Sequence, residues 1–156
     1  MKKALLLFLG FLIGMIIFMP KEELYYKVLH ILHQNKIDII SQTSSSLFSL
    51  NLKNIRVNYL GIKAAEIKKT EILPLVFYNK AEAKDIKLKI GNFFIKKVSV
   101  IYIPFTDAKI KGKGNFGEFS GFLNLKEIKI YIKNPSAEIK GFLSKDKKGY
   151  YYHESF

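Results

Sequence analysis

The chain has 156 residues and a formal net charge of +13, with 49% hydrophobic and 14% aromatic residues. That length suits one domain with a real core plus an appendage, and the composition is too apolar for a disordered chain. There is no cysteine, which excludes disulfides, zinc–thiolate and iron–sulfur centres and thiol nucleophiles.

The positive charge is almost wholly lysine, with Arg56 the only arginine. Base and phosphate readers lean on the planar arginine fork, and these lysines are scattered, so no nucleic-acid partner is expected. A lysine-plus-isoleucine bias is first of all the mark of an A- and T-rich genome. Attraction to anionic lipid headgroups is the functional reading of the same charge.

Lys2 and Lys3 precede an unbroken apolar run from Ala4 to Met19, closed by Pro20. The run has 16 residues, against about 20 for a typical membrane span, and it is slightly long for the core of a signal peptide. Its end, Ile16-Ile-Phe-Met-Pro20, is bulky where a signal peptidase needs small residues. Residues 1–20 therefore read as an uncleaved signal anchor, a single N-terminal transmembrane helix. Leu5, Leu6, Leu7, Phe8, Phe11, Leu12, Ile13, Ile16, Ile17 and Phe18 provide its apolar surface. The positive-inside rule keeps the N-terminus cytoplasmic, although Lys21 and Lys27 add charge on the far side. The expected location is a bacterial inner membrane, single-pass, with the C-terminal domain in the periplasm and inner-membrane lipids as first partners. Gly10 and Gly14 form a G-x-x-x-G pair, a weak signal for helix association.

Residues 21–35 read as a short amphipathic helix. Leu24, Val28, Leu29 and Leu32 share one stripe, and Glu22 and Glu23 suit the dipole of the first turn. His30 and His33 lie three apart, but no third ligand follows by spacing, so they read as ordinary surface histidines and no metal or other cofactor is expected.

From residue 36 to 156 the period changes to two, the mark of half-buried strands. Leu50 and Leu52 alternate, then Ile55 and Val57 continue on the opposite parity. That slip at Lys53–Asn54 signals a bulge or turn. Leu75 to Tyr78 is a short apolar run. A candidate apolar groove or core follows: Ile86, Leu88 and Ile90; Val98, Val100 and Tyr102; Ile110; Phe119, Leu123 and Leu125; Ile128, Ile130 and Ile132; and Ile139 in a last strand over Ala137–Leu143. The expected fold is mainly β, a curved antiparallel sheet of eight or nine strands joined by short turns, apolar on one face and lysine-bearing on the other.

No G-x-S-x-G, P-loop or H-E-x-x-H is present. Gly112-x-Gly114-x-x-Gly117 matches a dinucleotide pattern literally, but it lies between two strand-like segments and opens no helix; bending of the sheet or close backbone approach explains it better. The acids form no convincing catalytic pair. A periplasmic hydrolase would need a histidine beside a carboxylate or serine in a cleft, and the three histidines lie near the chain ends. The chain reads as a non-enzyme without a small-molecule substrate. Phe93, Phe94, Phe105, Phe116, Phe119 and Phe122 cluster in the second half, either as core or as the lining of a groove for acyl chains.

A resemblance rests on five features: the anchor and helix; Phe48-Ser-Leu-Asn-Leu-Lys-Asn-Ile55; Tyr59-Leu-Gly-Ile-Lys-Ala-Ala65; Ile72-Leu-Pro-Leu-Val-Phe-Tyr78; and Gly117-Glu-Phe-Ser-Gly-Phe-Leu-Asn-Leu125. This layout resembles the protein N component of the type II secretion system, within the wider AsmA-like group of inner-membrane-anchored, periplasmic β-rich proteins. The chain is shorter than that family's usual length. The resemblance implies accessory work in protein secretion with envelope or secretion-protein partners, and it transfers no catalytic residues. The alternative is a lipid-binding or lipid-transfer module of the AsmA-like or lipopolysaccharide-export kind. A scaffold should have a closed, dry core; a carrier should have a continuous apolar groove open at one end.

Overall fold

The computed structural model describes residues 2–75 and 77–156. Val76, within the apolar run Leu75–Tyr78, lies outside the described residues.

Two helices open the chain, α1 over Lys2–Phe18 and α2 over Lys21–Gln34. At about 1.5 Å per residue, α1 is roughly 26 Å long, short of the hydrocarbon thickness of about 30 Å. No single helix among the described residues is long and apolar enough to cross a membrane; α1 and α2 pass that test only as a pair, bent by 57°. Pro20 is the break, because its ring removes the amide that would continue α1. Lys21 fixes the elbow: its side chain is buried, and Nζ donates to the Ile16 carbonyl at 3.2 Å, one of the carbonyls left free at the end of α1.

Ten strands follow: β1 Ile37–Ser45, β2 Leu50–Tyr59, β3 Ile62–Pro74, β4 Asn79–Leu88, β5 Phe94–Tyr102, β6 Ala108–Gly114, β7 Gly117–Leu123, β8 Glu127–Lys133, β9 Ser144–Asp146 and β10 Gly149–Ser155. They form one antiparallel open sheet, a meander from β1 to β8 and then β10 and β9. The count is therefore ten, not eight or nine. The expected last strand over Ala137–Leu143 is also corrected. It holds the short helix α3 (Ala137–Lys140), and the terminal strands come after it. Ala137, Ile139 and Leu143 fit a two-residue period, but Ile139, Phe142 and Leu143 equally fit i, i+3, i+4, and Ser136 in extended conformation starts the turn. Since β8 and β9 both run antiparallel to β10, the α3 segment must cross the sheet between them.

The parity slip seen in the sequence is a property of four strands, not one. Asn54 lies between the pairs Lys53↔Lys69 and Ile55↔Ile67, and the same gap continues through β4 and β5 at Asp85 and Lys96. Asn54 and Asp85 hold φ of 51° and 55°, a left-handed conformation that asparagine and aspartate tolerate best among non-glycine residues. The shifts in register that close the row fall against β1 and β6. Because the extra residues are aligned, Leu52 and Ile55, three apart, are both buried on one face.

That face is covered at one side by α2. Tyr25 packs against Leu50, Leu52 and Ile55, and its hydroxyl lies 2.7 Å from that of Ser41 on β1. The covering is thin. Seven apolar side chains are buried among the described residues. The accessible surface is 11295 Å², against about 8000 Å² for a compact monomer of 18.0 kDa, and the uncovered α1 supplies part of the excess.

The left-handed conformation of Asn54 gives a direct test. Asn54→Val should destabilise the fold by about 1–2 kcal/mol, since a β-branched residue resists that conformation, whereas Asn54→Gly should leave stability nearly unchanged. Urea unfolding of the two variants measures the difference.

Candidate functional site: the apolar face of the sheet

Directly opposed residues on neighbouring strands share a face. Three rows running across the strands therefore define the apolar face. The first contains Val100, Ile110, Gly121, Ile130 and Tyr152; the second Val98, Gly112, Phe119, Ile132 and Tyr150. The third, nearer the β5–β6 and β7–β8 turns, contains Ala108, Leu123 and Ile128, with Tyr102 ending β5 beside it.

The structure thus brings most of the expected residues together. Ile86, Ile110 and Phe119 are buried, and Leu88, Val98, Val100, Ile128, Ile130 and Ile132 are half-buried. Tyr102 and Leu123 lie on the face but are exposed. Ile139 joins the face from α3 rather than from a strand. Ile90 and Leu125 do not belong to it: they sit in turns, 79% and 99% exposed. Their places at the ends of alternating runs mimicked the strand pattern, but each lies beyond the last residue of its strand.

At the far end of the face, the α3 segment overhangs an open cleft of about 420 Å³ whose walls present only apolar surface. Phe119, Ile130 and Ile132 form the floor, and Ile139, Phe142 and Leu143 the overhang. Phe93 and Phe116, from two turns, close the end. Phe116 stacks on Phe119 with centroids 5.6 Å apart and meets Phe93 edge-on at 5.8 Å. The aromatic cluster of the sequence is therefore divided. Phe94 and Phe122 register with Lys87 and Lys109 on the opposite face, and Phe105 projects from a turn. Phe142 and Leu143 gave no signal as site residues, because only the crossover carries them over the sheet.

Gly112 has a packing reason to be glycine. A Cβ there would sit 2.2 Å from Cζ of Phe119, so the bare backbone is what admits the ring. This, together with a φ of 133° at Gly117, accounts for the G-x-G-x-x-G spacing in the β6–β7 hairpin without a nucleotide.

The opposite face is basic. Lys53, Lys69, Lys84, Lys97 and Lys113 face one another in a single row, which Glu118 and Lys133 continue. Like charges so placed repel, and two carboxylates offset them. Glu118 accepts from Lys113 at 2.8 Å, which holds its carboxyl below the usual range. Glu82, in the next row, contacts Lys97 at 3.1 Å, Lys80 at 3.1 Å and Lys84 at 3.3 Å. Lys97 foremost, then Lys80 and Lys84, lower its pKa from 4.5 to about 2, against the opposing effect of desolvation. Two larger depressions, of about 770 and 930 Å³, have lysines and acids in their walls and do not suit an apolar ligand.

One histidine does meet a carboxylate in a depression, the pairing the hydrolase reading asks for. His33 pairs with Asp38 and His30 with Gln34 in a depression between α2 and β1 that no serine lines. His153 pairs with Glu127 at 2.8 Å at the exposed end of β10. Among the described residues, no group of three or more His, Asp or Glu could hold a metal ion.

No protein-family model, curated protein or solved structure matches the chain.

The Glu82 cluster sets an acid limit. The carboxylate stays ionised to about pH 2 in the folded chain and only above about 4.5 once unfolded. Its contribution is therefore complete above that higher value and is lost as pH falls towards the lower one. The three lysines are themselves partly solvated, so the contribution is about 1–2 kcal/mol rather than the full shift of pKa. Glu82→Gln should lower stability at pH 7 and flatten its decline between pH 4.5 and 2, as followed by denaturant titration.

Proposed function

We propose that this protein is a membrane-anchored, non-enzymatic lipid-handling module, which holds acyl chains along the open apolar face of its sheet. The observation that carries the reading is the continuity of that face. It runs from Tyr102, Leu123 and Ile128, exposed or half-buried at one end, through the rows of Val100 and Val98, to the overhung cleft at the other. The cleft falls within the range of about 300–1000 Å³ common for ligand sites, though it lacks the few polar groups that fix a polar ligand. An acyl chain needs none. At the crossover edge, Lys140 and Lys145 lie 5.9 and 5.4 Å from the Tyr150 ring, which puts positive charge beside this end of the face.

The signal anchor of residues 1–20 and a periplasmic place for the sheet complete the reading. A closed, dry core would have favoured a scaffold subunit of a secretion apparatus. The uncovered face favours the carrier, and it leaves the lysine face free for a partner protein.

Site-specific photo-crosslinking of the full chain in vesicles tests this. A photoreactive residue at Val98 or Ile132, on the apolar face and away from the open end, should yield lipid adducts. One at Ser99 or Ser120, on the lysine face, should yield none. An absence of adducts at the first pair, in a chain that remains folded, would transfer the assignment to a protein-binding scaffold.

A further inference from the structure

In a meander, alternate turns lie at the same end of the sheet. The β1–β2, β3–β4, β5–β6 and β7–β8 turns therefore share one end, and the C-terminus of β10 joins them, since the Phe156 amide donates to the Lys126 carbonyl at 2.8 Å. This end exposes Leu47, Phe48, Phe77, Phe105, Leu125 and Phe156.

The tips are held outwards by ordered turns. In the first, the Ser46 amide donates to the Ser49 carbonyl at 2.8 Å, with Leu47 and Phe48 between them. Thr106 closes another on the Ile103 carbonyl, leaving Phe105 fully exposed with φ of 67°, a conformation uncommon for an aromatic residue. In a third, Asn124 Oδ1 accepts from the amides of Lys126 and Glu127, and Leu125 projects.

The other end contrasts with this one. Its turns are built around Gly61, Gly91–Asn92, Asn115, Asn134 and Lys147–Lys148. It exposes Leu60, Ile62 and Ile90, but its turn phenylalanines, Phe93 and Phe116, fold inwards on each other. Finally, α1 leaves the domain at the apolar end, where Met19, Pro20 and Lys21 border Ser45 and Ser46.

We infer that the turn tips at the α1 end of the sheet seat in the surface of the bilayer that holds α1, so that the sheet stands on the membrane with its apolar face opening towards it. The occupant of this surface is the lipid interface itself, where exposed phenylalanine and leucine side chains lose contact with water. A lipid chain could then pass from the bilayer onto Leu123 and Tyr102 without crossing solvent. The inference rests on the anchoring of α1 in the proposed function.

The absence of cysteine makes the test direct. Single-cysteine variants Ile17→Cys in α1, Phe105→Cys and Leu125→Cys at the tips, and Ile90→Cys at the far end are labelled with an environment-sensitive fluorophore. The full chain is then reconstituted into vesicles of phosphatidylethanolamine and phosphatidylglycerol that carry doxyl-labelled lipid. Quenching at Ile17→Cys, Phe105→Cys and Leu125→Cys, with little at Ile90→Cys, is the expected result. Adding Phe105→Asp to the Leu125→Cys chain should reduce its quenching several-fold while leaving that of Ile17→Cys, given the same substitution, unchanged. If Ile17→Cys is quenched but the tips are no more quenched than Ile90→Cys, the docking is overturned and the anchor stands. If Ile17→Cys is also unquenched, the membrane reading fails and the docking falls with it.

Discussion

One sheet must find cover for one long apolar face, and the chain supplies too little of it. A strand buries one side against something else, and the usual solutions are a second sheet, a layer of helices or closure into a barrel. Here ten strands lie side by side in a single layer. Among the described residues, cover comes from α2 over β1 and β2 and from the α3 crossover near β8 and β10. Between them the face is left half-buried, and among the described residues no large side chain is fully buried. The open groove, the aromatic plug at one end and the exposed tips at the other all follow from that shortage.

The basic face answers a related difficulty. A wide, one-sided sheet invites pairing with other sheets, and rows of lysine oppose it. Their mutual repulsion is contained by a few carboxylates set among them, chiefly Glu82 with three lysine partners and Glu118 with Lys113. The two faces therefore differ in chemistry: one is apolar and half-covered, and the other carries rows of lysine that favour contact with water and anionic groups.

The aligned row of slipped residues gives the sheet coherence. A single slip in one strand would turn its remaining apolar residues to the wrong face. Because Asn54, Lys68, Asp85 and Lys96 slip together, four strands turn over at one level and the apolar face continues across the defect. Gly112 serves the same face differently, by leaving room for the ring of Phe119.

The sequence by itself determined what depends on neighbours along the chain. The apolar run ending at Pro20, the change to a two-residue period, the lysine-bearing alternate face and the slip at Asn54 are all local patterns. Most of the apolar face was legible for the same reason, since alternation assigns a side as soon as a strand is recognised. Only the tertiary structure decided how those patterns meet. It turned Ala137–Lys140 into a helix, because i, i+2 and i, i+3 spacings overlap in so short a segment and packing over β8 and β10 chose between them. It also brought Phe142 and Leu143 over the groove and moved Ile90 and Leu125 off the face into turns. Whether the sheet would close was beyond the sequence, because an alternating strand looks the same whether its apolar side meets another layer or an open groove.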